Sequence, residues 1–243
     1  MSVKRMRVFA GPNGSGKTTI FKEALKDAEV NLGVYVNADD IELELINSNS
    51  LPFSNYELNV SDKEVKDFFK GSSFSPVKRN EQDLWQQLSV TENILHVSTS
   101  IDSYLAADLA EFIRQQLLTA GASFTYETVM SYEGKIDFFG KARQEGYRVY
   151  LYYIATEDPG INISRVNVRV AQQGHSVPPE IITNRYFKSL QNLKAAVKKT
   201  NRAYIFDNSG TQAKLIAEIT DGSDLVQNKV FDIPNWVNEY LLK

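Results

Sequence analysis

Apolar residues recur along this chain in two rhythms. Five short runs read as strands: Arg5–Ala10, Gly33–Asn37, Ser123–Glu127, Arg148–Ile154 and Arg202–Asp207. The fourth is the plainest, because Val149-Tyr150-Leu151-Tyr152-Tyr153-Ile154 is apolar at every position, the mark of a strand covered on both faces. Between the runs the spacing turns helical. Thr19 to Ala28 places Ile20, Phe21, Ala24 and Leu25 on one stripe, and Ser103–Thr119 does the same with Leu105, Leu109, Phe112, Ile113 and Leu117 before Gly121 ends it. Lys135–Glu145 is a helix stopped by Gly146. Pro179–Lys198 is another, with proline near its first turn and basic residues in its last. Strands alternating with helices predict an α/β fold, with a mostly parallel five-stranded sheet inside three αβα layers.

Two stretches break the alternation. From Asn47 to about Ser100 the chain is far longer than a crossover needs. It carries loop-like Asn47-Ser-Asn-Ser50 and Gly71-Ser-Ser-Phe-Ser75 and helical patches at Ser61–Phe69 and Glu81–Gln87. Residues 47–100 therefore read as a helical insertion within a single domain spanning 1–243. The tail from Gln212 reads as a hairpin around Asp221-Gly222-Ser223-Asp224, then a short helix after Pro234.

Composition narrows the classes. At 243 residues, 42% hydrophobic and 23% charged, the chain has the mix of a soluble globular domain. A net charge of −3 argues against a broad nucleic-acid surface. The absence of cysteine excludes disulfides, thiolate metal sites and cysteine nucleophiles. No apolar run approaches the ~20 residues that span a bilayer. Met1-Ser2-Val3-Lys4-Arg5 runs straight into the first strand without a signal peptide. The expectation is a cytoplasmic protein with access to ATP.

The chemistry enters at residues 11–18, Gly-Pro-Asn-Gly-Ser-Gly-Lys-Thr. This is G-x-x-x-x-G-K-[ST], the phosphate-binding loop of nucleotide triphosphatases and kinases. Gly11, Gly14 and Gly16 let the backbone curl until its N–H groups surround a phosphate. Pro12, Asn13, Ser15 and Thr19 complete the cradle. Lys17 supplies charge at the β- and γ-phosphates and the Thr18 hydroxyl a ligand for Mg²⁺. A strand before and a helix after are the context the motif requires, since a helix N-terminus itself attracts anions.

Other residues gather at strand ends. Asp39 and Asp40 follow the second strand, where one carboxylate can accept a proton from an attacking hydroxyl; the other reading is that one of them caps a helix starting at Ile41. Glu127 closes the third strand, placed to hold Mg²⁺ through water, to bind a substrate hydroxyl, or to pair with a lysine. Arg165 and Arg169, four apart, share one helix face and precede a Gly174-His175 turn, as in a lid over phosphates or a solvated helix face. Arg185 adds a third charge, and His175 reads as a turn or substrate contact. Asp207-Asn208-Ser209-Gly210 spells D-x-x-G, but it falls too late for a guanine-nucleotide switch and no N-K-x-D follows. A contact to the base or a lid residue, or a plain turn, remains.

Taken together, Gly11–Thr18, Asn37–Ile41, Phe124–Ser131, Asn162–Leu193 and Asp207–Ser209 resemble the zeta-toxin family of P-loop kinases, in particular its compact chromosomal branch. The most specific stretch runs from Asn162-Ile-Ser-Arg165-Val-Asn-Val-Arg169-Val to Gly174-His175-Ser-Val177-Pro178, then Ile182 and Arg185-Tyr186. The resemblance implies a P-loop kinase fold and transfer of the ATP γ-phosphate to the 3′-hydroxyl of the sugar of UDP-N-acetylglucosamine, with Mg²⁺. It also implies an antitoxin as a possible protein partner. It assigns Asp39 as catalytic base, Glu127 and Thr128 as substrate-binding residues, and Arg165 and Arg169 as phosphate-facing arginines. The sequence departs from related chains at Gln173 before Gly174, at Val129 after Thr128, and throughout residues 47–100.

The expected activity is thus an ATP- and Mg²⁺-dependent kinase acting on a small-molecule hydroxyl. The alternative is a P-loop ATPase that switches a protein partner through the insertion. Phosphorylation of a polynucleotide end or of tRNA is a third reading, disfavoured by the acidic balance although Lys194–Arg202 is locally basic.

Overall fold

A computed structural model describes residues 3–24, 32–171 and 177–243. In chain order the strands and helices are β1 (Arg5–Ala10), α1 (Lys17–Ala24), β2 (Val34–Val36), α2 (Ala38–Ser48), β3 (Ser50–Pro52), α3 (Asp62–Gly71), α4 (Ser75–Arg79), β4 (Leu88–Thr91), β5 (Ile94–Val97) and α5 (Ser103–Ala120). There follow β6 (Phe124–Thr128), α6 (Gly134–Gln144), β7 (Arg148–Ala155), α7 (Pro159–Ala171), α8 (Pro179–Gln191), α9 (Leu193–Lys198), β8 (Arg202–Asp207), β9 (Lys214–Thr220), β10 (Asp224–Gln227) and α10 (Asn235–Val237). The chain divides into two compact units, residues 1–32 with 125–243, and residues 33–124.

The first unit is an α/β layer structure of the mainly parallel kind expected. Its strands run in the order β10-β9-β8-β7-β1-β6. β1 pairs parallel with β7 and β7 parallel with β8, while β9 and β10 are added antiparallel. The C-terminal hairpin expected from Asp221-Gly222 is thus present and joins the sheet, which makes the sheet larger than the five strands read from the sequence. On one sheet face Met6, Val8, Val149, Leu151, Ala203 and Ile205 are fully buried. Burying each such side chain contributes about 1.5–3 kcal/mol. Tyr153, on the same face, bonds the Ser189 hydroxyl of α8 and meets the Trp236 ring of α10, so these helices cover that side.

The helix expected over Pro179–Lys198 is two helices. Asn192 ends α8 and precedes α9, and its side-chain amide donates to the Met130 carbonyl, which ties the break to the loop after β6.

The second unit is built on α5, whose N-cap Asp102 accepts from the Tyr104 and Leu105 N–H groups and whose C-cap is Gly121 at φ 71°. Both ends are as the sequence implied. The segment 47–100 holds α3 and α4. It also holds a three-stranded antiparallel sheet, β3-β5-β4, whose β4–β5 turn places Glu92 and Asn93 at positive φ. α3 opens with a capping box between Ser61 and Glu64. Its hydrogen-bonded partner Ser61 holds the Glu64 carboxyl below its ordinary range.

Candidate active site

The loop between β1 and α1 has the backbone the motif requires. Gly14 and Gly16 sit at φ 73° and 96°. A Cβ on Gly14 would lie 2.5 Å from the Asn162 carbonyl oxygen, and one on Gly16 would lie 2.2 Å from the Asn208 amide nitrogen. Both positions therefore need glycine for conformation and for space. The Lys17 ammonium folds back over the loop and donates to the Gly11 and Pro12 carbonyls at 3.0 and 2.9 Å. The Ser15 hydroxyl is buried and, among the described residues, has no hydrogen-bond partner. A curled loop at a helix N-terminus, a lysine laid over it and an unpartnered buried hydroxyl fit a triphosphate.

Two asparagines anchor this loop from remote parts of the chain. Asn162 of α7 is fully buried; its amide donates to the Asn13 carbonyl at 2.6 Å and its oxygen accepts from the Thr156 hydroxyl. Asn208, just past β8, donates to the Ser15 carbonyl at 2.8 Å, and its own N–H bonds the Ala155 carbonyl. α7 begins at Pro159, where the Asp158 carboxylate accepts from the Gly160 N–H at 2.6 Å. α7 carries Arg165 and Arg169 on one face. The Arg165 guanidinium donates to the Asn208 carbonyl at 2.8 Å and the Gly210 carbonyl at 3.1 Å. Arg169 is exposed, one turn further along α7. Arg185 is half-buried on α8. Neighbouring Tyr186 is buried and donates to the Thr156 carbonyl at 2.6 Å, and burial pushes its phenol well above the usual range. Gly174 and His175 lie outside the described residues, and with them the expected lid turn.

At the end of β6 the Thr18 hydroxyl donates to Glu127 Oε2 at 2.9 Å, while the Thr128 carbonyl accepts from the Gly11 N–H at 3.2 Å. Glu127 thus stands against the hydroxyl that the motif reserves for Mg²⁺. The Thr128 side chain is buried and accepts from the Met130 N–H and the Lys135 ammonium. Lys17, Thr18, Glu127, Arg165 and the glycine loop are accordingly brought together within the first unit.

Asp39 lies in the second unit, in the first turn of α2. That helix starts at Ala38, not Ile41, and its cap is Asn37, whose Oδ1 accepts from the Asp39 N–H at 3.0 Å. The capping role weighed for Asp39 or Asp40 therefore belongs to Asn37, and both carboxylates are on the exposed first turn, where they favour the helix dipole. The D-x-x-G segment is a turn. Asp207 is buried and accepts from the Trp236 indole N–H, the Ser209 hydroxyl and the Ser209 N–H. Asn162 and Asn208 are the loop-anchoring residues that the sequence did not single out as part of the candidate site. Each lay inside a singled-out stretch, but their contacts to the loop cross 149 and 193 residues. Among the described residues no group of three or more His, Asp or Glu side chains forms a metal cluster. Among the described residues no helix is long and apolar enough to cross a membrane.

Comparison with known proteins identifies the family and the fold. The zeta toxin family model matches residues 97–218, half of the chain, and the chain belongs to that family. Two crystal structures of the complex of AvrRxo1-ORF1 with AvrRxo1-ORF2 share its fold. The complex with ATP has 15% identity and a TM-score of 0.59, covering 94% of this chain and 61% of that one. The native complex has 14% identity and a TM-score of 0.55, covering 93% and 61%. This chain thus spans about three fifths of the length of those solved chains. No curated protein matches the sequence.

Proposed function

We propose that the chain is an ATP-dependent phosphotransferase of the kinase type, which moves the γ-phosphoryl group onto a hydroxyl of a small molecule, with a nucleotide sugar such as UDP-N-acetylglucosamine as the first acceptor to test. The observation that carries this reading is the hydrogen bond from Thr18 to Glu127 at the mouth of a fully formed phosphate loop. It joins the loop's metal-binding hydroxyl to an acid at the end of the neighbouring strand, an arrangement suited to holding Mg²⁺ and its waters. When bound, Mg²⁺ supplies neutralisation of charge on the β- and γ-phosphates.

The chain's own residues divide the remaining work. Lys17 and the loop amides hold the β- and γ-phosphates. Glu127 orients the Thr18 hydroxyl and would stand on the metal side of the site, a role its position supports better than a direct bond to the acceptor. Thr128 holds the loop after β6, since its hydroxyl is already engaged by Met130 and Lys135. Arg165, kept beside the loop by Asn208 and Gly210, neutralises charge on the transferring phosphoryl, and Arg169 extends the cationic face. An arginine in that role is worth ~10³–10⁵ in rate. Asp39, on the family resemblance, takes the proton from the attacking hydroxyl. An antitoxin-type polypeptide is the protein partner that the family suggests.

The test is incubation with Mg²⁺, γ-labelled ATP and either UDP-N-acetylglucosamine or a metabolite pool, read by mass spectrometry. A product heavier by one phosphate, absent with Lys17→Ala, supports the kinase. Label found only as free phosphate with every acceptor overturns it in favour of a hydrolytic switch.

A further inference from the structure

The two faces of the first unit's sheet differ in kind. The face described above is aliphatic and fully buried. On the opposite face the register aligns Arg7, Tyr150 and Arg202 in one row and Phe9, Tyr152 and Tyr204 in the next. Exposure along the second row rises away from β1. Phe9 is buried against Phe21 of α1, Tyr152 and Tyr204 are half-buried, and Val226 at the end of the row is 69% exposed.

The chemistry displayed is specific. Phe9 and Tyr152 stack at 4.5 Å with planes 4° apart, and Tyr152 and Tyr204 at 5.0 Å and 17°. Rings on adjacent strands that stack in this way stand on edge and turn their hydroxyl ends away from the sheet. The Arg7 guanidinium lies near the Tyr152 phenol and the Arg202 guanidinium near the Tyr204 phenol. Arg7 and Arg148 lie over the Tyr150 ring at 5.5 and 5.9 Å. Arg7 is only 7% exposed, and its Nη1 has no hydrogen-bond partner among the described residues. Glu218, between Tyr204 and Val226 in the second row, sets one carboxylate against Arg202 at 3.5 Å, on a face that also carries Arg7 and Arg148.

We propose that this arginine–tyrosine sheet face docks an acidic segment of a partner polypeptide. Tyr and Arg are the residues over-represented at the energetic centres of protein interfaces, and guanidiniums flanked by phenols present donors matched to carboxylates. A single-stranded nucleic acid suits the face poorly. A base needs an open ring face, and Tyr152 has Phe9 on one side and Tyr204 on the other.

The experiment is a fluorescence-anisotropy titration of the full chain with three labelled probes: a 16-residue amphipathic helix of Glu and Leu, the same peptide with Gln for Glu, and a 16-nucleotide oligothymidylate. The acidic peptide binds, the other two do not, and the exposed double variant Arg148→Gln/Arg202→Gln weakens binding about tenfold or more while retaining ATP binding as proof of folding. Three results overturn the proposal: no binding of the acidic peptide, equal binding by the double variant, or tighter binding of the oligothymidylate.

Discussion

Glu127 Oε2 accepts a hydrogen bond from Thr18 Oγ1 at 2.9 Å, across 109 residues of sequence. The pair joins the end of β6 to the first turn of α1, and it accounts for Glu127 better as part of the metal side than as a contact to the acceptor. Replacing Glu127 with Gln keeps the shape and removes the charge. The expected result is a steep rise in the Mg²⁺ concentration needed for half-maximal turnover, with metal-free ATP binding changed little. A Mg²⁺ titration of turnover with calorimetry of ATP binding checks this.

Gly14→Ala should abolish ATP binding. The residue sits at φ 73°, and the new methyl would fall 2.5 Å from a backbone oxygen of α7. Calorimetry with ATP measures the loss, and a circular dichroism spectrum like that of the parent separates it from unfolding.

Asn208 bridges the loop and Arg165: its side-chain amide donates to the Ser15 carbonyl and its own carbonyl accepts from the Arg165 guanidinium. Asn208→Ala keeps the Arg165 acceptor, which is backbone, but releases the loop. We expect kcat to fall at least about tenfold, equivalent to ~1.4 kcal/mol of transition-state stabilisation, with a smaller change in KM for ATP. A stability loss alone would move neither ratio at a temperature well below the melting transition, so steady-state kinetics with varied ATP is the check.

Tyr186→Phe removes the buried bond to the Thr156 carbonyl and leaves that acceptor dry. The cost is ~1–3 kcal/mol. For a chain of this size each kcal/mol lowers Tm by about 2–4 °C. Calorimetric melting of both proteins measures it.

Much of the scaffold was legible because its signals are local. β1, the glycine loop and α1 lie within twenty consecutive residues, and β7 is apolar at nearly every position. The small sheet of β3, β4 and β5 was not legible. Its strands are three or four residues long and mix Ser, Thr and His among the apolar positions, although the hairpin at Glu92-Asn93 left a trace in Leu88-Ser-Val-Thr91 and Ile94-Leu-His-Val97. The break at Asn192 was invisible for a different reason. A side-chain bond to Met130, 62 residues away, selects it, and nothing in the local periodicity marks it. The site divides in the same way. The motif residues announced themselves, while Asn162 and Asn208 become recognisable only when folding brings remote segments to the loop.

The central claim is that the γ-phosphoryl group goes to an acceptor hydroxyl and not to water. Phosphorus NMR of the protein with Mg²⁺, ATP and UDP-N-acetylglucosamine follows both fates in one sample. A new phosphomonoester resonance should grow in step with ADP, and Asp39→Asn should bind ATP yet form neither. Inorganic phosphate appearing at the same rate with and without acceptor, and unchanged by Asp39→Asn, would contradict the account.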